Sequence, residues 1–321
     1  MVAVIVGYAR SPFTRAGKGA LYKSRPDDIA ATVVNRLLAD LSLDPTLIED
    51  LIVGTAFPEG EQGFNLARMI TFLTDLPETV PGVTINRFCG SSMQAIHDAA
   101  GRIAMGAGDA FIAGGVESMT RIPMTGFNPM PNPRLSEENP AAFTSMGITA
   151  EIVAERYDIS REDQDVYALQ SQQRYAAAAD AGQVAEEISP MKVTRKVMKK
   201  GEEPYDEDFV VEKDECNRPT TTLEGLNSLK PVFKPAEEGG TVTAGNASQV
   251  TDGAVAILLA TEEACDRHGL QPLGRVLGHC YAGCEPERMG LGPVHAIAKA
   301  KRELGFGPED ADLVEINEAF A

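Results

Sequence analysis

One cysteine lies where an apolar run ends and a helical pattern begins, a position from which a thiol can act as a nucleophile. Segment 86–95 reads NRFCGSSMQA, with Cys89 fourth, and follows the apolar residues 80–85. A helix is predicted from Gly90 to about Met105, because apolar residues recur on one face. The N-terminus of a helix offers unpaired backbone N–H groups and the positive end of the helix dipole, which favour a thiolate. Cys89 is therefore a candidate nucleophile; the alternative is a buried structural cysteine, the commoner role of a free thiol.

The composition excludes several classes of partner. A formal net charge of −18 at pH 7 argues against nucleic acid and against anionic membrane surfaces. Five cysteines without a CxxC pair predict a reducing compartment and no metal site. Residues 1–13 contain a short apolar run that predicts a strand rather than a signal peptide, and no window is long enough for membrane insertion as a helix. We therefore expect a cytoplasmic protein.

Predicted strands and helices alternate along the chain, which indicates the α/β class. The length of 321 residues predicts two lobes, because one simple core seldom holds so many. Residues 1–270 are predicted to form the first lobe, with an insertion of loops and helices at about 119–243. Residues 271–321 are predicted to begin the second lobe.

The end of the second lobe echoes part of the first. Segment 312–320 resembles segment 50–57, and both are predicted as a strand followed by a loop. In the first lobe the chain continues through the Cys89 strand and helix, whereas in the second it stops at Ala321. The second lobe is therefore expected to be incomplete, which suggests a truncated chain.

Seven segments, taken in order, resemble a known family. They are NRFCGSSMQA (86–95), GGVESMTRIPM (114–124), MGITAE (146–151), TVTAGNAS (241–248), DGAVA (252–256), MGLGPV (289–294) and NEAFA (317–321). Together they resemble a thiolase, and the first segment and the region around Arg218 are most similar to the degradative 3-ketoacyl-CoA thiolases of fatty-acid β-oxidation. The resemblance implies duplicated αβαβα-layered lobes with mixed five-stranded sheets, and a loop domain inserted in the first.

The same resemblance implies acyl transfer through a covalent intermediate. The Cys89 thiolate would attack the 3-keto carbon of a 3-ketoacyl-CoA, acetyl-CoA would leave, and free CoA would then take the acyl group from sulfur. The backbone N–H of Cys89 would help to bind the oxyanion of the acyl step. Coenzyme A is thus implied as a substrate, with no bound cofactor. A homo-oligomer, dimer or tetramer, is implied for the full-length form.

Five further residues take roles from the resemblance. Asn317 would hold a water that forms an oxyanion hole, and Ser248 would contact the pantetheine arm of coenzyme A. Met146 and Phe320 would pack near the acyl or pantetheine pocket, and Arg218 would flank the adenine end. From the residues alone, the alternatives are a capping or turn asparagine, a turn serine, core apolar residues and a solvated surface arginine.

The chain also departs from the family pattern. Family members carry a Gly-His-Pro motif beyond NEAFA, whose histidine activates the nucleophile, and then a second cysteine in a Cys-x-Gly turn. Neither motif occurs in these 321 residues, and none of the four histidines is assigned to that role. The resemblance therefore does not by itself assign turnover to the chain as given.

Two alternatives stay open. A biosynthetic acetyl-CoA acetyltransferase would turn over acetoacetyl-CoA but not longer ketoacyl chains, although Ser145 stands where some members of that branch have His. A non-catalytic acyl-CoA-binding protein, if the chain ends at Ala321, would bind coenzyme A without turnover.

Overall fold

The computed structural model describes residues 1–197 and 203–321. The described strands are β1 (Ala3–Arg10), β2 (Thr14–Arg15), β3 (Asp50–Gly54), β4 (Gly82–Ile85), β5 (Ala110–Ser118), β6 (Met191–Val197), β7 (Tyr205–Val211), β8 (Thr251–Thr261) and β9 (Gly274–Arg275). The described α-helices are α1 (Pro26–Asp40), α2 (Leu66–Phe72), α3 (Ser91–Ala104), α4 (Pro133–Glu138), α5 (Met146–Arg156), α6 (Arg161–Asp180), α7 (Leu223–Asn227), α8 (Glu262–His268) and α9 (Gly292–Leu304). None of the helices in these two ranges has both the length and the hydropathy that a membrane-spanning helix needs.

The chain forms two compact units that interleave along the sequence. The sheet unit comprises Met1–Pro129, Gly182–Cys216 and Val250–Leu277, and the helical unit comprises Met130–Ala181, Asn217–Gln249 and Gly278–Ala321. The predicted division was into residues 1–270, with an insertion at about 119–243, and residues 271–321. The predicted division assigns consecutive stretches of sequence to each lobe, whereas the two compact units each combine segments that are distant in sequence. The predicted division stays a prediction.

The sheet unit is built on one mixed sheet. Its longer strands lie in the order β4-β3-β5-β8-β1, and the two-residue strands β9 and β2 pair with β1 and β8. β3 runs parallel to β4 and β5, whereas β8 runs antiparallel to β5 and β1. β6 and β7 form a separate antiparallel pair. The predicted α/β class is confirmed, and β4 lies at the edge of the sheet, where its carboxyl end leads to Cys89.

Side-chain alternation explains why helices cover both faces of this sheet. On β3, Leu51 and Val53 lie in one buried apolar cluster, whereas Ile52 between them lies in another. The first cluster includes residues of α1 and α2, and the second includes residues of α3. The residues that α3 buries in the second cluster are Ala95, Ala99, Ala100 and Ile103. Their burial, at roughly 25 cal/mol per Å² of apolar surface, holds α3 on its face of the sheet.

Two glycines at the carboxyl ends of β3 and β5 let the first turn of α3 approach the sheet closely. Gly54 and Gly115 are paired across these parallel strands. A Cβ on Gly54 would lie 2.5 Å from the carbonyl carbon of Ser91, and a Cβ on Gly115 would overlap the hydroxyl of Ser92. A side chain at either glycine position would block this contact. The contact therefore sets the position of the start of the helix and of Cys89 before it.

Two sequence-based expectations differ from the structure. The strand predicted within 312–320 is wrong, since the segment is irregular and Leu313 is 79% exposed. A strand needs a neighbour for its N–H and C=O groups, and among the described residues this segment forms only one isolated bridge, at Phe320. The five prolines within 123–140 predict a long loop there, but α4 forms within it, because Asn132 caps the helix and Pro133 suits its first position.

We expect Gly54→Ala to destabilise the protein by about 1–3 kcal/mol, because the new methyl group would overlap the backbone of the first turn of α3. Gly101→Ala is the matched control, since Gly101 lies on the same helix with open space around its missing Cβ. That substitution should stabilise the protein by about 1 kcal/mol. Urea unfolding of the three chains measures both effects. Equal midpoints for Gly54→Ala and the parent chain would contradict the close approach of helix and sheet.

Candidate active site

Cys89 lies in the short loop that joins the edge strand β4 to α3. The residue is exposed and its thiol is free. Gly90 is the N-cap of α3 and Ser91 its first residue, which confirms the predicted start of this helix. The exposure of Cys89 excludes the alternative of a buried structural cysteine.

Local hydrogen bonds fix the loop that carries Cys89. The Phe88 N–H donates to Asn86 Oδ1 at 2.7 Å, and the Arg87 N–H donates to Ser91 Oγ at 2.8 Å. Ser91 Oγ donates in turn to the Phe88 carbonyl at 2.6 Å. Phe88 has a φ of +45°, a left-handed conformation that costs a non-glycine residue about 1–2 kcal/mol. The hydrogen bonds on both sides of Phe88 hold this strained turn, which places Cys89 immediately before the helix.

The segment 241–248, in the helical unit, is held by two helices. Glu151 of α5 is buried, and its carboxylate accepts the Thr241 N–H at 2.9 Å. Asn246 Nδ2 donates to the buried Asp165 of α6 at 3.0 Å. These contacts fix the backbone of the segment, which ends at the candidate residue Ser248.

A short antiparallel bridge makes Ser248 and Phe320 neighbours. The Ser248 N–H donates to the Ala319 carbonyl at 3.0 Å, and Ala247 pairs with Phe320. Ser248 is exposed and Phe320 is half-buried. The structure thus brings together two residues that are more than seventy positions apart in the chain.

Aromatic contacts continue from Phe320 toward the start of α5. The ring of Phe320 meets the ring of Phe233 edge-on, with centroids 6.3 Å apart. A Cβ on Gly147 would overlap the Phe233 ring, so this glycine and ring are in close contact. Met146, the half-buried first residue of α5, precedes that glycine. The ring of Phe233 therefore contacts both Phe320 and the residue that follows Met146.

Asn317 is exposed and lies in the irregular segment that ends the chain. The next residue, Glu318, is anchored to α6, because its carboxylate accepts the Tyr167 hydroxyl at 3.0 Å and the Ser171 hydroxyl. Burial raises the pKa of Tyr167, and the hydrogen bond to Glu318 raises it further. The anchoring of Glu318 restricts the backbone beside Asn317.

Arg218 is exposed, and its backbone N–H donates to Gln172 Oε1 at 2.7 Å. The helical unit thus contains Met146, Arg218, Ser248, Asn317 and Phe320, while the sheet unit contains Cys89. Within the helical unit, the described contacts join Ser248 to Phe320 and link the segment of Phe320 to the start of α5.

Sequence analysis missed several residues that shape these sites. Glu151 closes the MGITAE segment, and a carboxylate among apolar helical residues signals a buried acceptor. Phe233 stands between Pro231 and Pro235, a setting typical of a rigid loop with an exposed ring. Gly54 follows three large apolar residues at the end of β3, which signals close approach of another backbone.

Two other cysteines differ from Cys89 in their surroundings. Burial raises the pKa of the half-buried Cys216 thiol to about 11, and the nearby carboxylates of Asp214 and Glu215 act in the same direction. Burial also raises the pKa of Cys265, which lies in the apolar core. Both thiols are therefore poor nucleophiles near neutral pH.

Family comparisons cover both ends of the chain. The model of the thiolase N-terminal domain matches residues 3–263, and that of the thiolase C-terminal domain matches residues 270–321. A 3-ketoacyl-CoA thiolase of Bacillus subtilis (strain 168) is 46% identical over 319 residues, which are 99% of this chain and 81% of that protein. These matches do not in themselves support the predicted truncation.

Solved structures of thiolases share this fold. Human mitochondrial 3-ketoacyl-CoA thiolase in complex with CoA is 36% identical, with a TM-score of 0.84 over 99% of this chain and 79% of that one. The dimeric peroxisomal thiolase of Saccharomyces cerevisiae is 33% identical, with a TM-score of 0.87 over 99% of this chain and 79% of that one. The similarity confirms the predicted thiolase-like fold class.

We expect iodoacetamide at about pH 8 to alkylate Cys89 before Cys216 and Cys265, because Cys89 is exposed and the other two thiols have raised pKa values. The labelling rate of Cys216 should rise about tenfold per pH unit until the pH approaches about 11, where its thiol ionises. Peptide mass spectrometry after timed quenching measures each rate. Labelling of Cys216 as fast as that of Cys89 at about pH 8 would contradict the expected order of thiol reactivity.

Proposed function

The chain belongs to the thiolase family, and we propose that it catalyses the thiolytic cleavage of a 3-ketoacyl-CoA into acetyl-CoA and a shortened acyl-CoA. The observation that carries the proposal is the exposed thiol of Cys89 at the start of α3. An exposed thiol is accessible to substrate, and the helix N-terminus beside it stabilises the thiolate. Both features favour nucleophilic attack. The similarity to a bacterial 3-ketoacyl-CoA thiolase supports the same substrate class.

The proposed reaction has two halves, both at Cys89 Sγ. In the first, the thiolate attacks the C3 carbonyl carbon, the C2–C3 bond breaks, and its electron pair leaves on C2 of acetyl-CoA, which takes up a proton. The acyl group then remains as a thioester on Sγ. In the second half, the thiolate of free CoA attacks the thioester carbonyl, the bond to Cys89 Sγ breaks, and the shortened acyl-CoA leaves.

The remaining candidates take supporting roles in this proposal. The backbone N–H of Cys89 helps to bind the oxyanion of the acyl step, and Asn317 holds a water that stabilises the other oxyanion. Ser248, Met146 and Phe320 contact the pantetheine arm or the acyl chain. The bridge that joins the segments of Ser248 and Phe320 supports a common role for those two residues.

Coenzyme A is the substrate that the helical unit would bind. Arg218 lies at the adenine end in this proposal, where an exposed cation can meet a phosphate group. The human mitochondrial relative has been solved in complex with CoA, which supports the ligand class. A cytoplasmic location completes the proposal and is supported by cysteines that are all free in the structure.

We expect Cys89→Ala to lower kcat for thiolysis by about 10³-fold or more, since the residue that carries the acyl group is lost. Cys216→Ala is the matched control, because that thiol is half-buried with a raised pKa, and it should retain the parent rate. The consumption of 3-ketoacyl-CoA in the presence of free CoA measures both. Turnover of acetoacetyl-CoA alone would favour the biosynthetic alternative. Binding of CoA by the parent chain without thiolysis would favour a non-catalytic binding protein.

We also propose a homo-oligomer in which the edge strand β4 and the apolar residues beside it contact a second copy. β4 has a described neighbour on one side only, so its other edge offers backbone groups for pairing. Phe64 is 92% exposed, and Met93 on α3 is 61% exposed. The dimeric yeast thiolase supports an assembly of this kind.

Sedimentation equilibrium tests the assembly. The double substitution Phe64→Asp and Met93→Glu should dissociate the oligomer, because it places two charges on the apolar edge. Met105→Glu is the control, since Met105 is also exposed but lies at the C-cap of α3, the other end of the helix, and should leave the mass unchanged. A parent chain that sediments as a monomer would contradict the proposed homo-oligomer.

A further inference from the structure

The carboxylate of Glu117, on β5, collects hydrogen bonds from the loop that follows β3. The Ala56 N–H donates to Glu117 Oε2 at 2.6 Å, and the Thr55 hydroxyl donates to Oε1 at 3.1 Å. Thr55 is buried, while Glu117 is half-buried. The Glu117 carboxylate therefore ties this loop to β5, the central strand of the sheet, although Glu117 is more than sixty residues away in the chain.

Gln62 completes this cluster from the other side. It is fully buried, and its Nε2 donates to Glu117 Oε1 at 2.6 Å and to the Phe57 carbonyl at 2.9 Å. Its Oε1 accepts the Ser118 N–H at 2.7 Å. Gln62 thus holds both the carboxylate and the strand that carries it, so that the Glu117 oxygens stay aimed at the loop after β3.

Two further hydrogen bonds lead from this loop to the nucleophile. The Ala56 carbonyl accepts Asn86 Nδ2 at 2.9 Å, and Asn86 Oδ1 accepts the Phe88 N–H at 2.7 Å. Phe88 is the strained residue immediately before Cys89. An unbroken series of contacts therefore runs from Glu117 through Ala56 and Asn86 to the backbone beside Cys89.

We propose that Glu117 and Gln62 are positioning residues for Cys89, which hold its loop in the geometry that presents the thiol. The proposal rests on the proposed role of Cys89 as nucleophile. The described hydrogen bonds of the Glu117 carboxylate go to Thr55, Ala56 and Gln62, so Glu117 acts on the loop of residues 86–90 through Ala56 and Asn86.

The chemistry of the cluster requires a carboxylate rather than an amide at position 117. An ionised carboxylate only accepts hydrogen bonds, and every described partner of the Glu117 oxygens is a donor. A glutamine there would turn one N–H₂ group toward the Ala56 N–H or the Gln62 side chain. One donor would then face another, and at least one contact of the series would be lost.

The test compares Glu117→Gln with Glu61→Gln. Glu61 neighbours Gln62 in sequence, but its carboxylate pairs with Arg121 and Arg25 and has no described contact with the loop after β3. We expect Glu117→Gln to lower kcat about tenfold with KM changed by less than about twofold, and to slow alkylation of Cys89 by a similar factor. Glu61→Gln should match the parent chain in all three quantities.

Equal kcat and equal Cys89 alkylation rates in the two variants would overturn the proposal. Asn86→Ala serves where Glu117→Gln does not fold, because Asn86 is exposed and its removal breaks the same series while the hydrogen bonds of Glu117 stay in place. It should slow Cys89 alkylation as well, and an unchanged rate would also overturn the proposal. A parent chain without thiolysis would count against the proposed function alone, since the alkylation rates need no turnover.

Discussion

The close contact between the first turn of α3 and the glycine pair Gly54 and Gly115 is the constraint on which the position of Cys89 depends. Because β3 and β5 run parallel, their carboxyl ends meet at the same edge of the sheet, and the two missing side chains leave space for the helix there. The apolar face of α3 keeps it on the sheet, so the start of the helix cannot move away without exposing that face. Cys89 directly precedes this turn, and its exposure follows from where the helix begins.

Several polar residues in the seven segments that resemble thiolases form hydrogen bonds that fix the backbone. Glu117 fastens the loop after β3, Glu151 fastens the segment 241–248, and Asn246 ties that segment to α6. Cys89 and Ser248, which are exposed beside these fixed segments, are among the residues proposed to meet the substrate. The hydrogen-bonded groups fix the backbone, and the exposed side chains on that backbone are thereby held in position to contact substrate.

Patterns within one stretch of sequence predicted the local features well. The helix after Cys89 follows from periodicity over fourteen residues, and the α/β class follows from alternation along the chain. Contacts between distant residues could not be predicted in this way. Nothing in the sequence joins Gln62 to Glu117, because that pairing exists only once β5 lies beside β3. The strand expected within 312–320 failed for a related reason, since an apolar run becomes a strand only where a neighbouring strand accepts it.

The most direct test of the account is the site of acylation. The chain is mixed with a 3-ketoacyl-CoA in the absence of free CoA, quenched in acid and digested, and the peptides are weighed by mass spectrometry. We expect the mass of the shortened acyl group on the peptide that contains Cys89, and its disappearance when free CoA is added before the quench. An acyl group on another cysteine, or acyl-CoA formation with no acylated peptide at any time, would contradict the assignment of Cys89 as the residue that carries the acyl group.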